Sequence, residues 1–179
     1  MKNIVLETDR LVFRKISKGD YVIIANMLQD IEVMYAWEKS FSDEEVNSWI
    51  EENLKRYENE GYSYFLIVEK SSKKTVGVMG PLIENINEEK FIGIGYILNK
   101  QFWGKGYATE GARACIEYAF NELNADTVIA QIRTNNISSK NVAKRLNMKE
   151  VDKYMKIYDK KEMEHLIYSI KREEYLNFF

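Results

Sequence analysis

Apolar residues recur along this chain at two periods, and the switches between them sketch a sequence of elements. Residues Ile4 to Ile16 alternate and are rich in β-branched side chains, which predicts a strand. From Lys18 to Asp30 the spacing becomes helical, with Ile23, Met27 and Asp30 on one row and Ile24 and Leu28 beside it. Glu32 to Phe41 is aromatic and has no clear period, which predicts a loop or short turn. Ser42 followed by Glu45 three residues on is a capping pattern, so a helix should run to Glu60 and stop at Gly61. Tyr62 to Lys70 is a nearly continuous apolar run, the mark of a strand covered on both faces. A Ser-Ser-Lys-Lys turn leads to a hairpin partner at Thr75 to Ile83, and a polar connection to a further strand at Phe91 to Asn99. The next helix spans Lys105 to Leu123, with Ala108, Ala112, Cys115, Ile116, Ala119, Phe120 and Leu123 on its buried face. A strand at Asp126 to Thr134, a short helix at Asn136 to Asn147 and a final hairpin complete the order.

The unit from Phe91 to Thr134 is strand, long helix, strand, the crossover that parallel neighbours require. The other connections suit antiparallel pairing, so the fold class is α/β with a mixed sheet. No Pro/Gly/Ser-rich linker or internal repeat divides the chain, and Pro81 is its only proline. We therefore expect one domain over residues 1–179.

Composition narrows the chemistry. Net charge is -2 with a pI of about 5.7, which disfavours nucleic acid as a partner and mildly favours amines. One cysteine, Cys115, permits no internal disulfide, and with one histidine, His165, no zinc site of the usual kind. No metal is expected. The start of the chain lacks a signal-peptide core and no run of about 18 apolar residues occurs. The expected location is cytoplasmic, with no membrane partner.

Gly104 and Gly106 stand at the entrance of the predicted helix, where glycine costs stability. A helix start leaves unpaired N–H groups and carries about half a positive charge, which together make an anion site. Glycine lets a phosphate approach the backbone, and Lys105 between the two can add charge. Neither the Walker A pattern nor the three-glycine dinucleotide fingerprint is present, since Thr109 stands where the third glycine would be. A bare Gly-x-Gly can also serve only a tight turn, so the surrounding residues decide.

Those residues read Gln101-Phe-Trp-Gly104-Lys-Gly106-Tyr-Ala-Thr-Glu-Gly111. They resemble the acetyl-CoA signature Gln/Arg-x-x-Gly-x-Gly/Ala of the GNAT superfamily of N-acetyltransferases. "LETDRLVFRKI", "NNISSKNVAKRLNM" and "YSIKREEY" resemble, in order, the opening strand, second cofactor motif and closing strand of its ribosomal-protein-alanine (Rim-type) branch. The resemblance covers nearly the whole chain. It implies the GNAT fold: a central mixed, mostly antiparallel sheet, flanked by helices, whose one parallel pair splays apart to admit acetyl-CoA as cosubstrate.

Carried over residue by residue, Ile97, Leu98 and Asn99 would offer main-chain groups to pantetheine. The amides of Gly104, Lys105, Gly106, Tyr107, Ala108 and Thr109 would hold the pyrophosphate. Asn136 would lie near the pantetheine amide and Ser139 near the thiol end, though both also suit helix capping. Asn141 and Lys144 would reach the cofactor's outer parts. Tyr35, Trp37 and Phe41 lie where relatives shape the acceptor pocket, or pack between the first helices; Tyr96 lines the acceptor side or the core. Trp103 is expected to pack against the sheet edge, Cys115 in the core, and His165 in a structural or surface role.

The implied reaction is direct attack of a primary amine on the thioester, with strand N–H groups holding the oxyanion. Freeing an α-amine at pH 7 costs about 1–1.4 kcal/mol, and a lysine-like amine roughly 4.6 kcal/mol. Two features that many members of the superfamily carry are missing: Gly93 stands in place of a glutamate on the cofactor strand, and Ala143 in place of a tyrosine on the second-motif helix. Ser139 can stand in for the tyrosine. The base is unassigned, with Glu38 and Glu84 as candidates whose expected role is otherwise surface exposure. The lost glutamate favours a less basic acceptor, a protein N-terminal α-amine or a small amino compound. The alternatives are a CoA-binding sensor without turnover and a transferase of another acyl group. A monomer or homodimer is expected.

Overall fold

The computed structural model describes residues 3–158 and 160–177. Its strands form an eight-stranded sheet in the order β1-β2-β3-β4-β5-β6-β8-β7. The expected first strand is two: β1 (Ile4–Glu7) and β2 (Leu11–Lys15) pair antiparallel. Between them the Thr8 hydroxyl accepts from the Leu11 N–H, and the Thr8 N–H donates to the Leu11 carbonyl. A threonine that closes a turn with its own hydroxyl leaves the alternating pattern uninterrupted, which is why periodicity misses the corner.

Helix α1 (Tyr21–Leu28) follows a single 3-10 turn; residues 31–38 form turns and 39–42 irregular chain, within the stretch expected to be a loop or short turn. In α2 (Asp43–Asn59) Ser42 and Glu45 make the reciprocal capping box, and the chain leaves through Gly61 at φ 86. Strands β3 (Phe65–Glu69), β4 (Thr75–Ile86) and β5 (Glu89–Leu98) form an antiparallel meander. Here β4 and β5 are longer than the pattern predicts. The polar stretch after Ile83 is the outer end of a hairpin that turns at Asn87 and Glu88. Half-buried Glu84 and buried Ile86 apart, these residues are exposed, and periodicity reads burial rather than pairing.

The remaining elements are α3 (Tyr107–Asn121), β6 (Thr127–Arg133), α4 (Ile137–Arg145), β7 (Lys149–Tyr158), β8 (Lys161–Lys171) and a short α5 (Arg172–Leu176). Strand β6 runs parallel to β5 and antiparallel to β8. The sheet separates two cores. Phe13, Phe65 and Met79 pack against α3 and its Ile116 on one face; Leu66, Val68 and Ile97 pack under α1 and α2 on the other. Among the described residues no helix is long and apolar enough to cross a membrane.

Gly111 lets α3 lie close to the sheet: a Cβ there would stand 2.8 Å from Met79 Sδ and 3.3 Å from Phe13 Cζ. Alanine should be tolerated, because the Met79 tip can move. Gly111→Leu overpacks the contact and should destabilise by about 1–3 kcal/mol, lowering Tm by roughly 2–12 °C in thermal denaturation.

The feature that positions the site is the parallel pair. β5 and β6 share the register pairs Ile92–Val128 and Gly93–Ile129 and no others. Past these, β4 keeps β5 to Leu98 and β8 keeps β6 to Arg133, so each strand follows its outer neighbour and a gap opens between them.

Candidate active site

The turn at the mouth of the gap is built on two left-handed glycines, Gly104 at φ 73 and Gly106 at φ 81. Nothing lies within 4 Å of a Cβ on Gly104, and only Arg10 Nη2, at 3.4 Å, near one on Gly106. The space above both is open. Gly106 is the N-cap of α3 and supplies no side-chain acceptor. The N–H groups of Tyr107, Ala108 and Thr109 have no acceptor among the described residues. They stand at the positive end of the helix, ready for an anion.

Sequence reasoning missed the residue that braces this turn. Arg10 Nη1 donates to the Lys105 carbonyl at 3.0 Å and Nε to Glu110 at 2.6 Å, while the guanidinium covers the Tyr107 ring at 4.3 Å. Arg10 lies 95 positions from Lys105, so no local pattern links them. Burial pushes the Glu110 carboxyl up, but hydrogen bonds from Thr8 and Arg10 outweigh it and hold it below the usual range. A lowered carboxylate stabilises the fold above its unfolded value, about pH 4.3, and loses that contribution as pH falls through the folded value. The Lys105 ammonium lies over the Phe102 ring at 5.1 Å, so Lys105 offers the turn its main chain.

From the turn a cleft of about 850 Å³ runs into the gap, with Gly104, Gly106, Ala108 and Thr109 at one end and Asn136, Ser139 and Asn141 along its wall. Arg145, in place of the expected Lys144, lines its outer part. The expectation for β5 needs correction. Asn99 donates its N–H to the Val76 carbonyl and its Nδ2 to the Thr75 carbonyl, at 2.9 and 3.0 Å, so it faces β4. Main-chain groups alternate sides along a strand, which also turns Ile97 to β4 and aims Leu98 and Tyr96 at the gap. The Leu98 carbonyl takes the Trp103 indole N–H at 2.8 Å, which ties Trp103 to the strand end.

Asn136 Oδ1 accepts from the Ser139 N–H at 3.0 Å and from the Tyr35 hydroxyl at 2.7 Å. It therefore caps α4 and keeps Nδ2 for other work. The Tyr35 ring meets Trp103 edge-on at 6.3 Å. Tyr35 thus lies across the cofactor cleft rather than in the acceptor pocket, and Phe41 packs into the core beneath α1 and α2.

A second cavity, of about 260 Å³, opens from the same gap. Trp37, Tyr96, Asn136 and Ser139 line both spaces; Tyr64, Glu84, Gln131 and His165 line only the second. The Tyr96 phenol is pushed up to about 12 by burial, against a hydrogen bond with Ser139. His165 has a partner: its Nδ1 lies 2.8 Å from the Met163 carbonyl, and burial lowers its pKa, which keeps the ring neutral at pH 7. Of the two candidate bases, Glu38 lies outside this cavity and is bound to Arg133 at 2.8 Å, whose guanidinium holds the carboxyl below the usual range. Glu84 is not a surface residue; its side chain is 22% exposed and faces the cavity. Cys115 is buried in the core, and burial pushes its thiol up. Among the described residues no group of three or more His, Cys, Asp or Glu side chains can hold a metal.

A model of the acetyltransferase (GNAT) domain matches residues 10–149. An uncharacterized N-acetyltransferase of Bacillus subtilis, YnaD, is 27% identical over 150 residues, covering 80% of this chain and 82% of that protein. A GNAT-family acetyltransferase from Bacillus anthracis superposes with a TM-score of 0.80 at 23% identity, over 94% of this chain and 99% of that one. A spermidine N-acetyltransferase from Vibrio cholerae, solved with CoA and spermine, superposes with a TM-score of 0.77 at 18% identity, over 95% and 100%.

Proposed function

The chain belongs to the GNAT family of acetyltransferases, and from that premise we propose that it moves the acetyl group of acetyl-CoA to a single primary amine, either a polypeptide α-amine or a small monoamine. The observation that carries this reading is the two-pair ladder between β5 and β6, which opens directly above a glycine turn with uncommitted amides. The amides of Gly104 to Thr109 receive the pyrophosphate. The gap-facing groups of Tyr96 and Leu98, with Asn136 Nδ2, receive pantetheine, and Asn141 lies along the cleft wall. The thioester then lies where the two cavities meet, at Tyr96 and Ser139.

The amine nitrogen attacks the carbonyl carbon from the second cavity, and a gap-facing N–H of β5 stabilises the oxyanion. The C–S bond breaks beside Ser139 and Tyr96. A phenol near 12 keeps its proton, so Tyr96 acts as a hydrogen-bond donor to the departing sulfur. The proton that ends on sulfur comes from the far more acidic nitrogen of the addition intermediate.

Charge in the acceptor cavity supports a monoamine. Glu84 is the one acid among its described lining residues, and Lys156 stands 3.9 Å from it. A polyamine would bring several ammonium groups to one carboxylate already facing a lysine. The likeness to the spermidine enzyme bears on fold alone. Expected turnover, read as free thiol released, is at least about 10-fold higher in kcat/KM for an α-amino peptide than for spermidine, given the lower cost of freeing an α-amine. A preference for spermidine would overturn the substrate assignment and favour a polyamine acceptor.

A further inference from the structure

Gly93, where the family resemblance implies a glutamate in many members, does not leave an empty place. A Cβ on Gly93 would stand 2.6 Å from Glu84 Cγ and 3.6 Å from its Cδ. We propose that Glu84, reaching over Gly93 from the neighbouring strand, is the catalytic carboxylate that takes the acceptor's proton. The inference rests on the transferase reading above.

The register explains how it gets there. Leu82 pairs with Gly93, and Glu84 pairs with Phe91, so Glu84 lies diagonally across from the glycine. Any side chain on Gly93 would block the path. With none, Glu84 crosses the whole width of β5, and its Oε2 accepts from Gln131 Nε2 on β6 at 2.7 Å. Gln131 is two residues past the last β5–β6 pair, so the carboxylate bridges the fork where the strands part. Gln131 is itself fixed, since its Oε1 accepts from the Tyr154 hydroxyl at 2.5 Å. One oxygen of Glu84 is thus committed to orientation, and the carboxyl lines the cavity that Tyr96 and Ser139 share with the cofactor cleft. Lys156 is 41% exposed and gives the carboxylate a charged edge toward solvent.

In the step assigned to it, Glu84 accepts one proton from the bound ammonium and leaves a neutral amine. That nitrogen forms the C–N bond of the addition intermediate; as the intermediate collapses, the C–S bond breaks and the nitrogen's second proton passes to sulfur. Glu84 then returns its proton to water. The sum is ammonium plus thioester giving amide, thiol and one released proton. His165, neutral and in the same cavity, is the rival acceptor and forms an arm of the test.

Glu84→Gln should lower kcat/KM at pH 7 by about 10²–10⁴-fold, with the loss shrinking as rising pH frees the amine in solution. Calorimetry should find acetyl-CoA affinity unchanged. The double variant Glu84→Ala/Gly93→Glu moves the carboxylate to β5 and fills the vacated space; it should recover at least about 10-fold of the activity that Glu84→Ala loses. Wild-type kcat/KM and pH profile in Glu84→Gln would overturn the proposal and leave the transferase reading standing. So would His165→Asn removing the acid-side limb of the profile while Glu84→Gln keeps it. A wild-type protein that releases no thiol with any primary amine would instead overturn the transferase reading, and the role of Glu84 with it.

Discussion

Gly106→Glu abolishes acetyl-CoA binding while the circular dichroism spectrum stays that of the native fold. At φ 81, a side chain at this position costs about 1–2 kcal/mol in backbone strain, tolerable against a typical 5–15 kcal/mol of stability. Space is available, with only Arg10 Nη2 near the new Cβ, at 3.4 Å. The same cation then holds the new carboxylate beside the turn, close to the uncommitted amides of α3. There it takes the place of a phosphate and repels the one arriving. Like-charge opposition of several kcal/mol corresponds to a loss of about 10²–10³-fold or more in affinity. Gly106→Ala bears the same strain with no charge, and should weaken binding far less. Affinity in Gly106→Glu equal to the native value would show that the diphosphate does not sit on this turn.

How much of this could be read from the residues varies with distance along the chain. The glycine turn, the helix it opens and the α4 cap are local, so spacing and capping chemistry reveal them. Ser42 and Glu45 announce α2 for the same reason. The hidden corner at Thr8 and the long polar end of the β4–β5 hairpin escape because alternation reports which side chains are buried and is blind to strand breaks and exposed pairing. Main-chain direction on β5 depends on register with β4, which places Tyr96 at the gap and turns Ile97 away. The site's remaining members are contacts across the sheet. Arg10 reaches a turn 95 residues on, and Glu84 meets Gln131 at a separation of 47. Gly93 is legible in one dimension as a loss. Only the register shows that the loss on one strand makes room for a carboxylate from the next.

Tyr96→Phe should lower kcat by about 10²-fold and leave acetyl-CoA affinity nearly unchanged, the usual scale for one donor to a developing charge. The substitution keeps the ring that lines both cavities and removes a single oxygen, the one that meets Ser139. If Tyr96 were only packing, rate and affinity would both stay put. Ser139→Ala should fall in the same range, and the double variant should be little worse than either alone, because the two hydroxyls act as a unit. The pH–rate profile adds an independent check. A phenol pushed up to about 12 contributes no ionisation between about pH 6 and 10, so the limb seen there should be the same in native protein and Tyr96→Phe. A limb that vanished with the phenol would mean that Tyr96 titrates during turnover, and the proton on the departing sulfur would then have to come from the phenol hydroxyl.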